Sequence, residues 1–214
     1  MVEYLVKSLK KENSLHFYQE ITLIDQAEIS HYFIWSKLYT QLHIALAEIK
    51  DANDKVSIGF SFPQYIYEEK AESQKAKVNL GKKLRIFAPS EADLQKLDIR
   101  KWLDRLTDYV HISSIREVPI SKITGYATYS RKQVKTNAER LARHDEKKGR
   151  YSYENAVEHY RQFITTTDLP YIQMKSLTSD QSFKLFIKKQ AADKSESQVF
   201  STYGLSSVST VPEF

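Results

Sequence analysis

The sequence has no cysteine, which removes a disulfide framework, a thiolate zinc site and a cysteine nucleophile at one stroke. Glycine is scarce too. The five glycines are scattered singly, so neither a P-loop nor GxGxxG is present to cradle a phosphate, HExxH is also missing, and no cofactor is expected. No apolar run approaches the length of a membrane span. Residues 1–11 alternate charges with apolar side chains too closely for a signal sequence. The expected setting is the cytoplasm, with no membrane partner. Metal ligands are equally thin: His144, Asp145 and Glu146 are consecutive and on a helix would point in three directions, so no metal site is expected.

What the sequence does hold is a core and a concentrated charge. With 214 residues, 41% of them hydrophobic, the chain can bury one large domain or two small ones. The formal net charge is only +5, but its placement is uneven. Residues 131–150 carry eight Lys or Arg against three acids, an excess that equals the net charge of the whole chain. A polyanion is the natural partner of such a segment.

Hydrophobic periodicity divides the chain in two. Residues 2–9 read as a strand, and Trp35, Leu38, Tyr39, Leu42, Leu46 and Ile49 recur at helical spacing. Residues 56–62 and 83–88 read as strands that pair, Ser90 with Asp93 makes a capping box for a helix through about residue 103, and residues 108–115 read as a strand. The order βαββαβ predicts an α+β chain whose residues 1–119 form a ferredoxin-like domain. From residue 120 a Gly-, Thr-, Tyr- and Ser-rich connection leads into the basic segment. Residues 120–214 are then predicted to form a smaller α+β domain that carries the basic segment. It has a helix at 152–164, strands near 171–174, 183–188 and 199–203, and a turn at 178–181.

Thr136 and Glu139 form a second capping box, so a helix is expected from about residue 137 to Gly149. At about 100° per residue, Arg140, Arg143, His144, Lys147 and Lys148 share one sector and the acids fall outside it. Leu141 is its only sizeable apolar side chain, so packing offers this helix little and another partner is needed to order it. Arg131 and Gln133 precede it, with Tyr126 and Tyr129 nearby. This is the make-up of an arginine-rich helix on nucleic acid, with cations for phosphates and Arg or Gln for base edges. Charge alone leaves RNA and DNA both open.

Among the six histidines, His43 lies at the edge of the apolar stripe of the first helix. A half-buried boundary histidine and a catalytic base are both open readings there. Ser176, Thr178 and Tyr203 are ordinary strand-end residues when taken singly.

Ordered pieces of the chain change that weighting. Leu42-His43 with Ala45-Leu46, then Ile58-Gly59-Phe60-Ser61-Phe62-Pro63, then Leu80-Gly81 with Leu84-Arg85-Ile86 are followed by others in the second half. These are Ser130-Arg131 with Gln133, Asn137 with Glu139-Arg140-Leu141, Phe183 with Leu185-Phe186-Ile187, and Tyr203-Gly204-Leu205-Ser206. In order and spacing the chain resembles the repeat-processing endoribonucleases of type I-F CRISPR systems.

The resemblance implies a metal-independent endoribonuclease that binds the CRISPR repeat hairpin, cuts precursor CRISPR RNA beside it and stays on the product. It also implies association with the other subunits of the type I-F surveillance complex. His43 takes the place of the catalytic histidine, Ser176 that of the serine beside the attacking 2′-hydroxyl, and Tyr203 that of the tyrosine orienting the histidine. Thr178 stands where a second serine occurs, so Ser176 and Thr178 both remain candidates for the 2′-hydroxyl. Arg131 and Gln133 are expected to read bases at the foot of the hairpin, Phe183 to stack under its last pair, and the helix with Arg140, Arg143, His144, Lys147 and Lys148 to follow the stem. The sequence departs from the pattern in a longer stretch at residues 10–29 and in carrying His144, Lys147 and Lys148 where arginines are usual. A non-catalytic hairpin-binding module, using the same helix, is the competing reading. A general double-stranded nucleic-acid binder held by charge alone is a third.

Overall fold

The computed structural model describes residues 14–69, 77–134, 138–161, 167–176 and 179–214, the side chains of Ala138 and Arg140 excepted. The strand expected at residues 2–9, the candidate Thr178 and the side chain of Arg140 lie outside that description. Strand β1 is instead Phe17–Leu23, inside the stretch that looked like an insertion. It is central to the first sheet. β1 pairs antiparallel with β6 (Lys83–Ala88) on one side and with β7 (Val110–Ile112) on the other, and β3 (Gly59–Ser61) pairs with β6, giving the order β3-β6-β1-β7. A short strand β8 (Arg116–Glu117) also pairs with β1.

β1 holds its place although three of its residues are polar. Buried Gln19 donates through Nε2 to Ser113 O at 3.2 Å. Glu20 accepts from Lys83 Nζ and, at 2.8 Å, from Arg85 Nε, cross-strand partners in β6. Burial raises the Glu20 pKa, but these two cations win and hold it below the usual carboxylate range.

Across this sheet lies α1 (His31–Glu48), whose buried residues Ile34, Trp35, Leu38, Tyr39, Leu42, Ala45 and Leu46 recur every three or four positions. The strand expected at 56–62 is divided into β2 (Lys55–Val56) and β3, and between β3 and β6 lies a two-stranded ribbon, β4 (Ile66–Glu68) with β5 (Lys77–Asn79). The Ser90–Asp93 capping box is present and starts α2 (Glu91–Leu97). The single helix expected to residue 103 is split, because Asp98 turns to φ +44° before α3 (Ile99–Trp102) resumes.

The connection expected from residue 120 is also structured. β9 (Gly125–Lys132) is an interior strand of a second antiparallel sheet, flanked by β11 (Ser182–Ala192) and β13 (Val211–Glu213), with β10 (Tyr171–Lys175) beyond β11. Of the strand expected at 199–203 only β12 (Phe200–Ser201) is extended, and it pairs with β2. The predicted boundary at 119/120 is therefore bridged. One buried core runs through Leu42, Phe60, Tyr129, Leu185 and Val211, and Tyr65 Oη donates across the join to Ile187 O at 2.9 Å.

The basic helix, α4 (Ala138–Lys147), ends before Lys148. Contrary to the expectation that it lacks a protein partner, it packs on α5 (Tyr153–Arg161). Ala142 and Ala156 are fully buried between them, with Val157, Tyr153 and Tyr160 around them. Alanine is small enough to bring two helices close, a seam that a search for large apolar residues passes over.

Candidate active site

His43 sits on α1 one turn beyond Tyr39, half-buried. Its Nδ1 lies 2.9 Å from the carbonyl oxygen of Thr202. A carbonyl can only accept, so Nδ1 carries the proton and the neutral ring presents Nε2 as a bare acceptor. The Tyr203 ring lies flat against the imidazole, centroids 4.1 Å apart and planes within 3°. The hydrogen bond fixes rotation within the ring plane and the stack fixes the plane itself, so Nε2 has one direction. Burial pushes the His43 pKa below that of an ordinary imidazole. The Thr202 carbonyl opposes the shift, and the Arg131 charge adds to it. The shift favours the neutral ring, in which Nε2 is able to accept a proton.

The turn at residues 201–205 that supplies these contacts is held by three successive carbonyls. Thr202 O accepts from His43, Tyr203 O accepts from Tyr39 Oη at 2.7 Å, and Gly204 O accepts from Phe60 N at 2.8 Å. Each donor comes from the first sheet or the helix covering it. Gly204 is required here: its φ is +69°, and a Cβ would come within 2.4 Å of the Phe60 ring.

Arg131, near the end of β9, places its guanidinium 5.6 Å from the Tyr203 ring and 5.2 Å from that of Phe183. The structure thus brings together four sequence candidates in a row: His43, Tyr203, Arg131 and Phe183. Gln133 is exposed just past the strand end. Ser176 begins the turn between β10 and β11, where its amide donates to Gln181 O at 2.8 Å and its Oγ accepts from Ser179 N at 3.2 Å. α1 rides along β10, with Ser36 Oγ on Gln173 O at 2.6 Å and Thr40 beside Met174. The next turn of the helix carries His43 and the next residues of the strand lead to Ser176, so both stand at the same end of this pair.

Arg143, His144 and Lys147 are exposed on α4, and Lys148 is exposed in the turn after it. Asp145 faces the other way. Its side chain is 7% exposed and accepts from Tyr160 Oη at 2.5 Å. That bond, with His144 and Arg150 nearby, holds the carboxyl below its usual range. A negative charge on the basic helix is thereby turned into the α4–α5 seam. Among the described residues no group of three or more His, Asp or Glu stands in metal-ligating geometry.

Residues 18–214 match the model of the family described as CRISPR-associated protein (Cas_Csy4). The chain belongs to this family. Two relatives named CRISPR-associated endonuclease Cas6/Csy4 resemble it over 199 residues, 92% of this chain and 98% of theirs: one from Escherichia coli (strain UTI89 / UPEC) at 37% identity and one from Pseudomonas aeruginosa (strain UCBPP-PA14) at 32%. A solved structure titled "An RAMP protein binding different RNA substrates" overlaps 94% of this chain and all of its own, at 10% identity and a TM-score of 0.36, too distant to carry an argument. The Cas_Csy4 match begins within β1, so nearly all of this strand lies inside the span that the family model covers. All of the site candidates fall inside it.

Two site groups escaped sequence reading of this Cas_Csy4 chain. Tyr39 was assigned only to the apolar stripe, and its position four residues before His43 on one helix face was the available signal. Thr202 acts through its backbone carbonyl, which no side-chain pattern encodes.

Proposed function

We propose that this chain is a metal-independent endoribonuclease that binds a CRISPR repeat hairpin, cuts precursor CRISPR RNA at the 3′ foot of the stem and stays on the product. The observation that carries the reading is the fixed imidazole of His43, protonated at Nδ1 against Thr202 O and stacked on Tyr203, with Nε2 left as a base. The 2′-hydroxyl of the nucleotide before the cut gives its proton to Nε2. Its oxygen then attacks the adjacent phosphorus, the bond from phosphorus to the 5′-oxygen breaks, and that oxygen takes a proton. The products are a 2′,3′-cyclic phosphate and a 5′-hydroxyl. The nucleophile belongs to the RNA, so the protein must supply a proton acceptor and alignment.

Ser176, and Thr178 beyond it, are the groups proposed beside the 2′-hydroxyl. Arg131 and Gln133 are proposed to read bases at the foot of the stem, with Phe183 beneath its last pair. The cation and ring stand 5.2 Å apart, which suits a base pair bonded at its edge and stacked on its face. Arg140, Arg143, His144, Lys147 and Lys148 are proposed to hold the stem's phosphates. Support comes from the exposure of the last four and the inward turn of Asp145. We read the first sheet as a ferredoxin-like plait, supported by the order β3-β6-β1-β7, and the chain as a cytoplasmic subunit that remains with the type I-F surveillance complex.

The test is cleavage of the cognate repeat RNA in EDTA, beside a His43→Ala variant and a substrate with 2′-hydrogen at the cut. Cutting in EDTA by the unaltered protein alone, with all three preparations binding, is the expected result. A divalent-metal requirement, or cutting that survives loss of His43, overturns the mechanism. Binding without cutting by the unaltered protein identifies a hairpin-binding module instead.

A further inference from the structure

A groove of about 600 Å³ opens beside Tyr203 with no residue of α1 in its lining, and two of its walls, Arg131 and Tyr203, are already candidate site residues. Its other cation is Lys55, exposed on β2. Six of the twelve lining residues are serines and none is a carboxylate. The cleft beside α3 differs in kind, since Glu48 and Asp104 line it. Two cations, a row of hydroxyls and no acid suit a sugar–phosphate chain. The exposed Val208, 72% accessible, gives an apolar surface on which a base can rest.

We infer that this groove binds the single-stranded RNA immediately 3′ of the cut, the part of the precursor that leaves as product. The inference rests on the proposed nuclease reading, because the direction comes from the scissile phosphate. Only the strand carrying that phosphate passes the His43–Tyr203 pair. On one side it runs into the stem, toward Phe183, and on the other it must leave along the wall that Tyr203 shares with the groove. With no aromatic in it beyond Tyr203, the groove recognises backbone and not sequence. It would hold a precursor before cleavage and release the downstream piece afterwards, because cutting separates that piece from the hairpin's own contacts.

The experiment measures equilibrium binding of uncleavable RNAs with 2′-hydrogen at the cut. One ends a single nucleotide past it, one carries about ten further nucleotides 3′, and one carries the same number 5′. The 3′-extended RNA is expected to bind about fivefold tighter than the short one, with a salt slope steeper by about 0.7 for each added phosphate neutralised. Lys55→Glu with Ser207→Glu should erase that advantage while short-RNA binding and cutting stay unchanged. In the unaltered protein, 4-thiouridine in the 3′ flank should crosslink to residues 197–209. Equal binding of short and 3′-extended RNA, an advantage that follows the 5′ flank, or crosslinks confined elsewhere each overturn the inference. Because binding is read on uncleavable RNA, a failure of the nuclease reading would appear separately, as no cutting of the unmodified short substrate.

Discussion

Replacing Tyr39 by Phe deletes one oxygen atom and leaves the ring in place, which makes it a sharp test of how the catalytic turn is held. Tyr39 is fully buried and its hydroxyl donates to Tyr203 O at 2.7 Å. Without that donor the carbonyl keeps its place only by staying unsatisfied in a low-dielectric setting, at a cost of about 1–2 kcal/mol. If that strain falls on the turn, the stack on His43 and the bond to Thr202 O lose population together. The same free energy corresponds to a rate loss of about 5- to 30-fold, at 1.36 kcal/mol for each factor of ten. Three measurements on one preparation decide it: the urea midpoint, affinity for uncleavable hairpin, and the single-turnover rate at saturating protein. Lower stability, unchanged affinity and a slower cut are expected. A rate constant that stays put while the urea midpoint falls would refute the coupling between Tyr39 and the base.

Three further outcomes follow from geometry already given. The His43 pKa lies below the ordinary imidazole value, so the unprotonated base persists as pH falls past about 6.5 and is lost only lower. Cleavage at subsaturating protein, measured against pH, should show its half-maximum on that acid side, and Arg131→Gln should move it upward. Gly204→Ala adds a Cβ against the Phe60 ring at a φ of +69°, and a urea melt should show a loss of about 2–4 kcal/mol. Tyr160→Phe removes the donor to Asp145 and should weaken hairpin binding several-fold and speed amide exchange in α4. Since the folded-state pKa of Asp145 is lowered, the same loosening should appear in the unaltered protein as pH falls below the usual carboxylate range and through that lowered pKa. Exchange in α4 that ignores both Tyr160 and pH would show that the pair does not hold the helix.

The parts of the fold that were legible in sequence are those whose own residues advertise their surroundings. The stripe of α1 announces a buried face, and Ser90 with Asp93 announces a helix start because both partners of the cap lie in one short stretch. β1 was missed because its polar residues are satisfied from elsewhere: Gln19 by Ser113, Glu20 by Lys83 and Arg85. β9 was missed because Gly125 and Ala127, both poor strand formers, interrupt Tyr126, Thr128 and Tyr129, and the segment is held extended only where β11 and β13 enclose it. Asp145 was placed outside the cationic sector, yet its partner Tyr160 stands 15 residues on and was invisible to a helical wheel. Arg131 stood out by its charge and His43 by its place at the edge of a stripe, and the family resemblance joined them with Tyr203 and Phe183 as candidates for one site. What sequence left out was the means by which the His43 ring is fixed, since that means is a backbone oxygen.

That oxygen has a consequence for synthesis of the protein. The proton on His43 is assigned by Thr202, 159 positions later, and the turn is tied to Tyr39 across 164. A ribosome must therefore deliver residues 202 and 203 before the His43 ring is fixed. At about 5–20 residues per second, several seconds pass in which the basic helix has emerged and the catalytic turn has not. On the proposed reading, a nascent or truncated chain in that window holds the cations proposed to grip RNA but lacks the fixed imidazole proposed to cut it.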